Sequence, residues 1–131
     1  MALLSKDQVW QADDITFEDV PVPEWGGEIR IRGLAGDERD DFEAKSLVKR
    51  KGAREVNLKN LRARLVAACA INEDGSPLFN TSDVLRLGQK SAAAIERLFK
   101  VAQKLSGMSD QDVEELASDL ELDPNGSSTS G

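Results

Sequence analysis

The sequence predicts an α+β protein, with an N-terminal β-hairpin or small antiparallel sheet packed on a bundle of about four to five helices. Three observations carry this expectation. Residues 20–34, VPVPEWGGEIRIRGL, hold two prolines, a Trp-Gly-Gly and then a strict apolar/polar alternation. From residue 37 onward the apolar positions recur at helical spacing instead. Residues 123–131, DPNGSSTSG, carry only turn-forming and small polar groups, so 1–122 reads as one domain followed by a disordered C-terminal tail.

In chain order, Ser5 starts a short helix over SKDQVWQ, with Val9 and Trp10 as its apolar contacts. DITFEDVPVP then reads as a strand. Ile15 and Phe17 share one face, whereas Val20 and Val22 share the opposite parity. That pattern calls for a bulge near Asp19 or for two separate strand pieces. Pro21 and Pro23 have no N–H to give to a ladder, which makes this an edge strand. Gly26 and Gly27 supply the tight reversal, and EIRIR returns with Ile29 and Ile31 inward and Arg30 and Arg32 outward. Trp25, beside the turn, is placed as a lid over one end of the core.

DERDDFEAKSLVKR has acidic residues at its start and Lys45, Lys49 and Arg50 at its end, the polarity a helix dipole favours. Phe42 and Leu47 or Val48 face the core in that helix, and Gly52 ends it. NLKNLRARLVAACAIN carries Leu58, Leu61, Leu65 and Ala68 at helical spacing and forms the centre of the core. Asp74-Gly75 reverses the chain, with Pro77 close behind, and a short helix follows from Thr81 or Ser82 to Gly88. Ser91 caps a helix with Ile95, Leu98, Ala102 and Leu105 on one face and Phe99 beside them, and Gly107 closes it. Ser109 and Asp112 make a capping-box pair for a last helix with Val113, Leu116, Ala117 and Leu120 on its apolar side.

Composition excludes several chemistries. The chain has no His and one Cys, so histidine general bases, the usual zinc and haem sites and an internal disulfide are ruled out. Cys69, inside an apolar helix, reads as a buried thiol rather than a nucleophile. The NEDGSPLFNTSD stretch fails as a calcium loop. Placing Gly75 at the invariant glycine puts Ala70 at the first ligand and Thr81 where a bidentate Glu belongs. WGGEIRIRGLAG has neither phosphate-cradle glycine pattern. No cofactor and no catalytic constellation is expected. The N-terminus lacks a basic start and a signal-peptide apolar run, and no stretch reaches the ~20 apolar residues of a membrane span, so a cytoplasmic protein is expected.

Charge is segmented. Residues 1–44 carry four basic and twelve acidic side chains. Residues 45–64 carry eight basic and one acidic, and residues 107–131 carry seven acidic and no basic. Such a pattern implies complementary surfaces within one molecule or between copies, which includes self-association. The basic belt has no interleaved aromatics, and a net charge of −7 repels nucleic acid, so a protein partner is favoured over DNA or RNA. The candidate partner-binding residues are Lys49, Arg50, Lys51 and Arg54 of the belt, facing an acidic surface, with Leu120 and Leu122 on the acidic C-terminal segment. The structural candidates are Trp25, Gly26, Gly27, Phe42, Leu61, Leu65 and Leu98.

The order of these motifs resembles the tail assembly chaperones of long-tailed bacteriophages and prophages of actinobacteria. The resemblance lies in Val22-Pro23-Glu24-Trp25-Gly26-Gly27, the alternating strand Ile29 to Arg32, and Glu38-Arg39-Asp40-Asp41-Phe42-Glu43. In the second half it continues through an apolar helix, an acidic Gly turn, a Leu-Gly break and a Ser-Ala-Ala-capped helix, up to about residue 122. One departure is Ala35, where the pattern expects a capping Thr or Ser. The resemblance implies a non-enzymatic protein that binds the tape measure protein in the host cytoplasm, helps recruit tail tube protein and is absent from the mature virion. It also implies a longer product of programmed frameshifting that recruits the tube subunits, this chain being the shorter one. The rival expectations are a structural tail or connector component retained in the virion, or a small nucleic-acid-binding regulatory module using the 45–64 belt.

Overall fold

A computed structural model describes residues 2–50, 53–56 and 60–113, with the backbone alone at 46–50 and 53–56. The fold is α+β. Helix α1 (Lys6–Gln11) precedes the hairpin β1 (Phe17–Val22) and β2 (Gly27–Arg32). Helix α2 (Gly36–Ser46) and a ribbon, β3 (Leu47–Arg50) and β4 (Ala53–Val56), follow. Then come α3 (Leu61–Cys69), the two-residue strand β5 (Ala70–Ile71), α4 (Val84–Leu87) and α5 (Ala92–Leu105).

The antiparallel sheet has the order β1-β2-β5. The prolines keep β1 at its edge, as their missing N–H groups require. The strand is continuous, which corrects both expectations for it. Its pairing with β2 runs unbroken from Phe17↔Arg32 to Val22↔Gly27, with neither a bulge nor a second piece. Val20 (3% exposed) and Val22 (0%) define the inner face, and Phe17 (55%) lies outside. The physical reason is Arg30, whose guanidinium sits 4.3 Å from the Phe17 ring centroid and covers it on the solvent side. Asp19, opposite Arg30 in the register, holds the same guanidinium through two hydrogen bonds of 2.7 and 3.0 Å.

The hairpin loop is a 3₁₀ turn over Pro23–Trp25 closed by Gly26 at φ 80°. Only Gly26 of the glycine pair has a positive φ, and Gly27 is already the first residue of β2. Trp25 is half-buried against the core. The tip is pinned to α5 by Glu24, which accepts two hydrogen bonds from Arg97 at 2.8 and 2.9 Å. That pairing pulls the Glu24 carboxyl down to about 2.

The inner sheet face packs on α5 and α3, and α3 packs on α5. Val22, Ile31, Leu65, Val66, Cys69 and Leu98 are the fully buried large side chains. Leu61 and Phe42 are also buried. Burial pushes the Cys69 thiol up to about 11, which leaves it inert at neutral pH. The junction between sheet and helices is tight. The Gly33 N–H donates to the Thr16 carbonyl at 2.9 Å, and the Leu34 N–H donates to Ser106 Oγ at 3.0 Å.

Four helical expectations are corrected. Helix α2 ends at Ser46, six residues before Gly52, and the chain turns into the β3–β4 ribbon. Leu47, Val48 and Val56 are apolar, two of them β-branched, and favour strand pairing once the acidic helix start is spent. Helix α3 begins only at Leu61, because Asn60 adopts a left-handed conformation (φ 69°). On α3, Leu61, Ala63, Leu65, Val66 and Cys69 are buried while Ala68 is exposed, so the buried face is rotated from the expected stripe. Helix α1 forms with a full capping box between Ser5 and Gln8, yet it buries none of its residues. Val9 and Trp10 therefore make no core contact, against expectation.

Candidate interaction surfaces

The described residues present two apolar surfaces, a groove and an N-terminal arm, and the backbone of part of the basic belt. The ribbon register sets Lys49 opposite Arg54 and Arg50 opposite Ala53. Two cationic residues at one position of an antiparallel ladder destabilise it, and an anionic partner would offset that cost. Three belt residues with described side chains, Lys45, Arg62 and Arg64, are engaged within the chain. Arg62 pairs with Glu96 on α5 at 2.7 Å and lies 5.4 Å from the Phe99 centroid. The Arg64 guanidinium stands 5.1 Å from the Phe42 centroid, and burial lowers its pKa. Lys45 pairs with Asp41 one helical turn away at 3.0 Å. Of the candidate contacts, Lys51, Leu120 and Leu122 lie outside the described residues.

The groove, of about 460 Å³, lies open between α2, α3 and the segment before α4. Leu34, Phe42, Ala67, Phe79 and Val84 form most of its apolar floor, and Lys45 and Arg64 stand in its wall. Glu38 and Asp41 of the same wall are already engaged. Glu38 receives two hydrogen bonds from Arg32, at 2.9 and 2.6 Å, and one from the Ala35 N–H at 2.8 Å. These bonds hold its carboxyl below the usual glutamate range, the Arg32 bonds being the largest cause. The Ala35 bond also supplies half of a capping box at the start of α2.

In the N-terminal arm, residues 2–17 are all exposed. They present Leu3 (98% exposed), Leu4 (71%), Val9 (47%) and Trp10 (72%) to solvent. The sequence reading missed both arm and groove. A signal for the arm was present, since Leu3, Leu4, Val9 and Trp10 form an apolar cluster that a six-residue helix has no surface to bury. The groove had none, because its floor joins residues as far apart as Leu34 and Val84.

Among the described residues no group of three His, Cys, Asp or Glu side chains is placed to hold a metal ion. No helix among them is long and apolar enough to cross a membrane.

Comparison with solved structures gives a match to the tail assembly chaperone of bacteriophage HK97. The two share a fold at a TM-score of 0.51 and 18% identity, over 76% of this chain and 94% of that one. The chain matches no model of a known family and no curated protein sequence.

Proposed function

We propose that this chain is a phage tail assembly chaperone, a non-enzymatic protein that binds the tape measure protein and helps recruit tail tube protein in the host cytoplasm. The fold shared with the HK97 chaperone is the observation that carries this reading. The motif order from Val22 to Leu105 supports it independently, and the actinobacterial grouping rests on that motif order alone. The physical logic is simple. A long helical client exposes apolar surface that aggregates unless covered. Many weakly held copies along one filament give avidity, and each is displaced easily when tube subunits arrive. Recruitment of the tube protein through a longer frameshift product belongs to the same proposal.

The belt supplies the polar half of the contact, with Lys49, Arg50, Lys51 and Arg54 meeting an acidic client surface. The test is co-purification of tape measure protein with the native chain and with a variant in which all four residues are changed to Glu. Recovery is expected to fall at least tenfold, as for several lost charge contacts. Unchanged recovery overturns the belt assignment. Salt-sensitive micromolar binding to random DNA would replace it with the nucleic-acid reading. Detection of the chain at fixed stoichiometry in purified virions would replace the chaperone role with a structural one.

A further inference from the structure

Beyond α5 the chain turns at Gly107 (φ 72°), and residues 108–113 lie back on the body, with 110–113 helical. Ser109 and Asp112 cap that turn reciprocally. The Asp112 N–H donates to Ser109 Oγ at 3.0 Å, and the Ser109 N–H donates to the Asp112 carboxylate at 2.8 Å. We infer that residues 108–113 are a clasp, which opens as a unit and lifts Met108 from the core while the sheet, α3 and α5 stay folded. The inference concerns the chain's own fold and stands apart from the client proposed above.

The way the clasp is held supports this. Arg39 of α2 donates to the Gly107 carbonyl at 3.1 Å, meets Asp112 at 3.4 Å and also holds Glu43 at 3.1 Å. From α5, Lys100 and Gln103 donate to Asp110 at 3.0 and 2.7 Å. The side chains of these ion pairs are partly to largely exposed, and such pairs add little stability and weaken in salt. The apolar anchor is small too. Met108 is buried and Val113 is half-buried against the core, whereas 109–111 are exposed. Few buried contacts are what mark an element that opens locally.

The closed form also carries a fault. The Gln103 side chain is buried, and its bond to Asp110 fixes the orientation of the amide. Its Oε1 has no hydrogen-bond partner among the described residues. A buried acceptor left unsatisfied costs free energy that water recovers once Asp110 moves away. The hinge falls at Gly107. Ser106 before it belongs to the body, since its Oγ accepts from the Leu34 N–H at 3.0 Å. Gly107 itself has the left-handed conformation that glycine adopts freely, and a Cβ built there has nothing within 4 Å.

Amide hydrogen exchange tests the clasp. The Met108 N–H, bonded to the Gln103 carbonyl, and the Val113 N–H, bonded to the Ser109 carbonyl, report on it, and Leu98 inside α5 reports on the body. Met108 and Val113 are expected to share one opening constant, at least about tenfold larger than that of Leu98. Arg39→Ala and Asp110→Ala, each removing ties at an exposed or half-exposed position, are expected to raise that constant at least about threefold. Leu61→Ala is the control, because Leu61 stands at the opposite end of α3 from Cys69, whose Sγ meets Ser106 Oγ at 3.8 Å. It is expected to speed Leu98 at least about tenfold and to leave the clasp constant within about twofold, since its cavity persists when the clasp opens. Met108 exchanging only at the Leu98 constant, with or without fraying at Val113, overturns the inference. So does a clasp constant that Leu61→Ala moves as far as Leu98, or one that Arg39→Ala and Asp110→Ala leave unchanged.

Discussion

Replacing Gly33 with Ala tests the junction on which the sheet and helices meet. A Cβ built at Gly33 falls 2.3 Å from the Leu105 carbonyl oxygen, 2.9 Å from its carbonyl carbon and 3.4 Å from its Cβ. The first two neighbours are backbone at the end of α5, so no side chain can rotate away. Relief requires β2 and α5 to separate by about 1 Å, since ordinary contact begins near 3.4 Å. Overpacking of that kind costs roughly 1–3 kcal/mol. The same shift strains the Leu34–Ser106 hydrogen bond, a further loss of about 0.5–1.5 kcal/mol if it breaks. The expected destabilisation is therefore about 1.5–4.5 kcal/mol by urea unfolding. Gly36→Ala is the control. It stands in helix α2 with nothing within 4 Å of the added Cβ, and it is expected to stabilise by about 0.5–1 kcal/mol. Equal midpoints for Gly33→Ala and the native chain would refute the close approach of β2 and α5.

Ala35→Ser completes the capping box that Glu38 half-supplies and is expected to raise stability by about 1 kcal/mol in the same urea assay. Leu98→Ala opens a cavity at a fully buried position and is expected to cost about 2–5 kcal/mol, read from the same curves. The Glu24–Arg97 pair gives a pH signature. The folded-state value of Glu24 lies at about 2 against 4.5 for a free glutamate, so its contribution is fully present above 4.5 and fades as pH falls toward 2. The stability difference between the native chain and Glu24→Gln is expected to be level above that window and to close within it, followed by thermal unfolding across the acid range.

The hairpin was legible in the sequence because its signals are local. Prolines mark the edge, a glycine marks the reversal, and alternation marks the return strand. The exposure of Phe17 was not legible. Its apolar character called for a bulge or a break in the strand, whereas the cross-strand Arg30 covers it at an outer position of a continuous strand. At residues 47–56 the charge gradient of a helix and the β-branched content of a ribbon compete, and pairing of two short segments settles the competition non-locally. The capping box at Ser5 announced α1 correctly but carried no information on what α1 packs against. Cys69 was legible on both counts, as a buried and inert thiol, because its apolar neighbours in sequence are its neighbours in the core.

The central claim is that this chain shields apolar surface on another protein for a limited time. The most direct measurement is the soluble fraction of the cognate tape measure protein expressed with and without this chain, followed by addition of tube protein. The account predicts a soluble complex that forms only in the presence of the chain and gives it up as tube subunits add. Tape measure protein equally insoluble in both cases, or a complex that tube protein leaves intact, would contradict it.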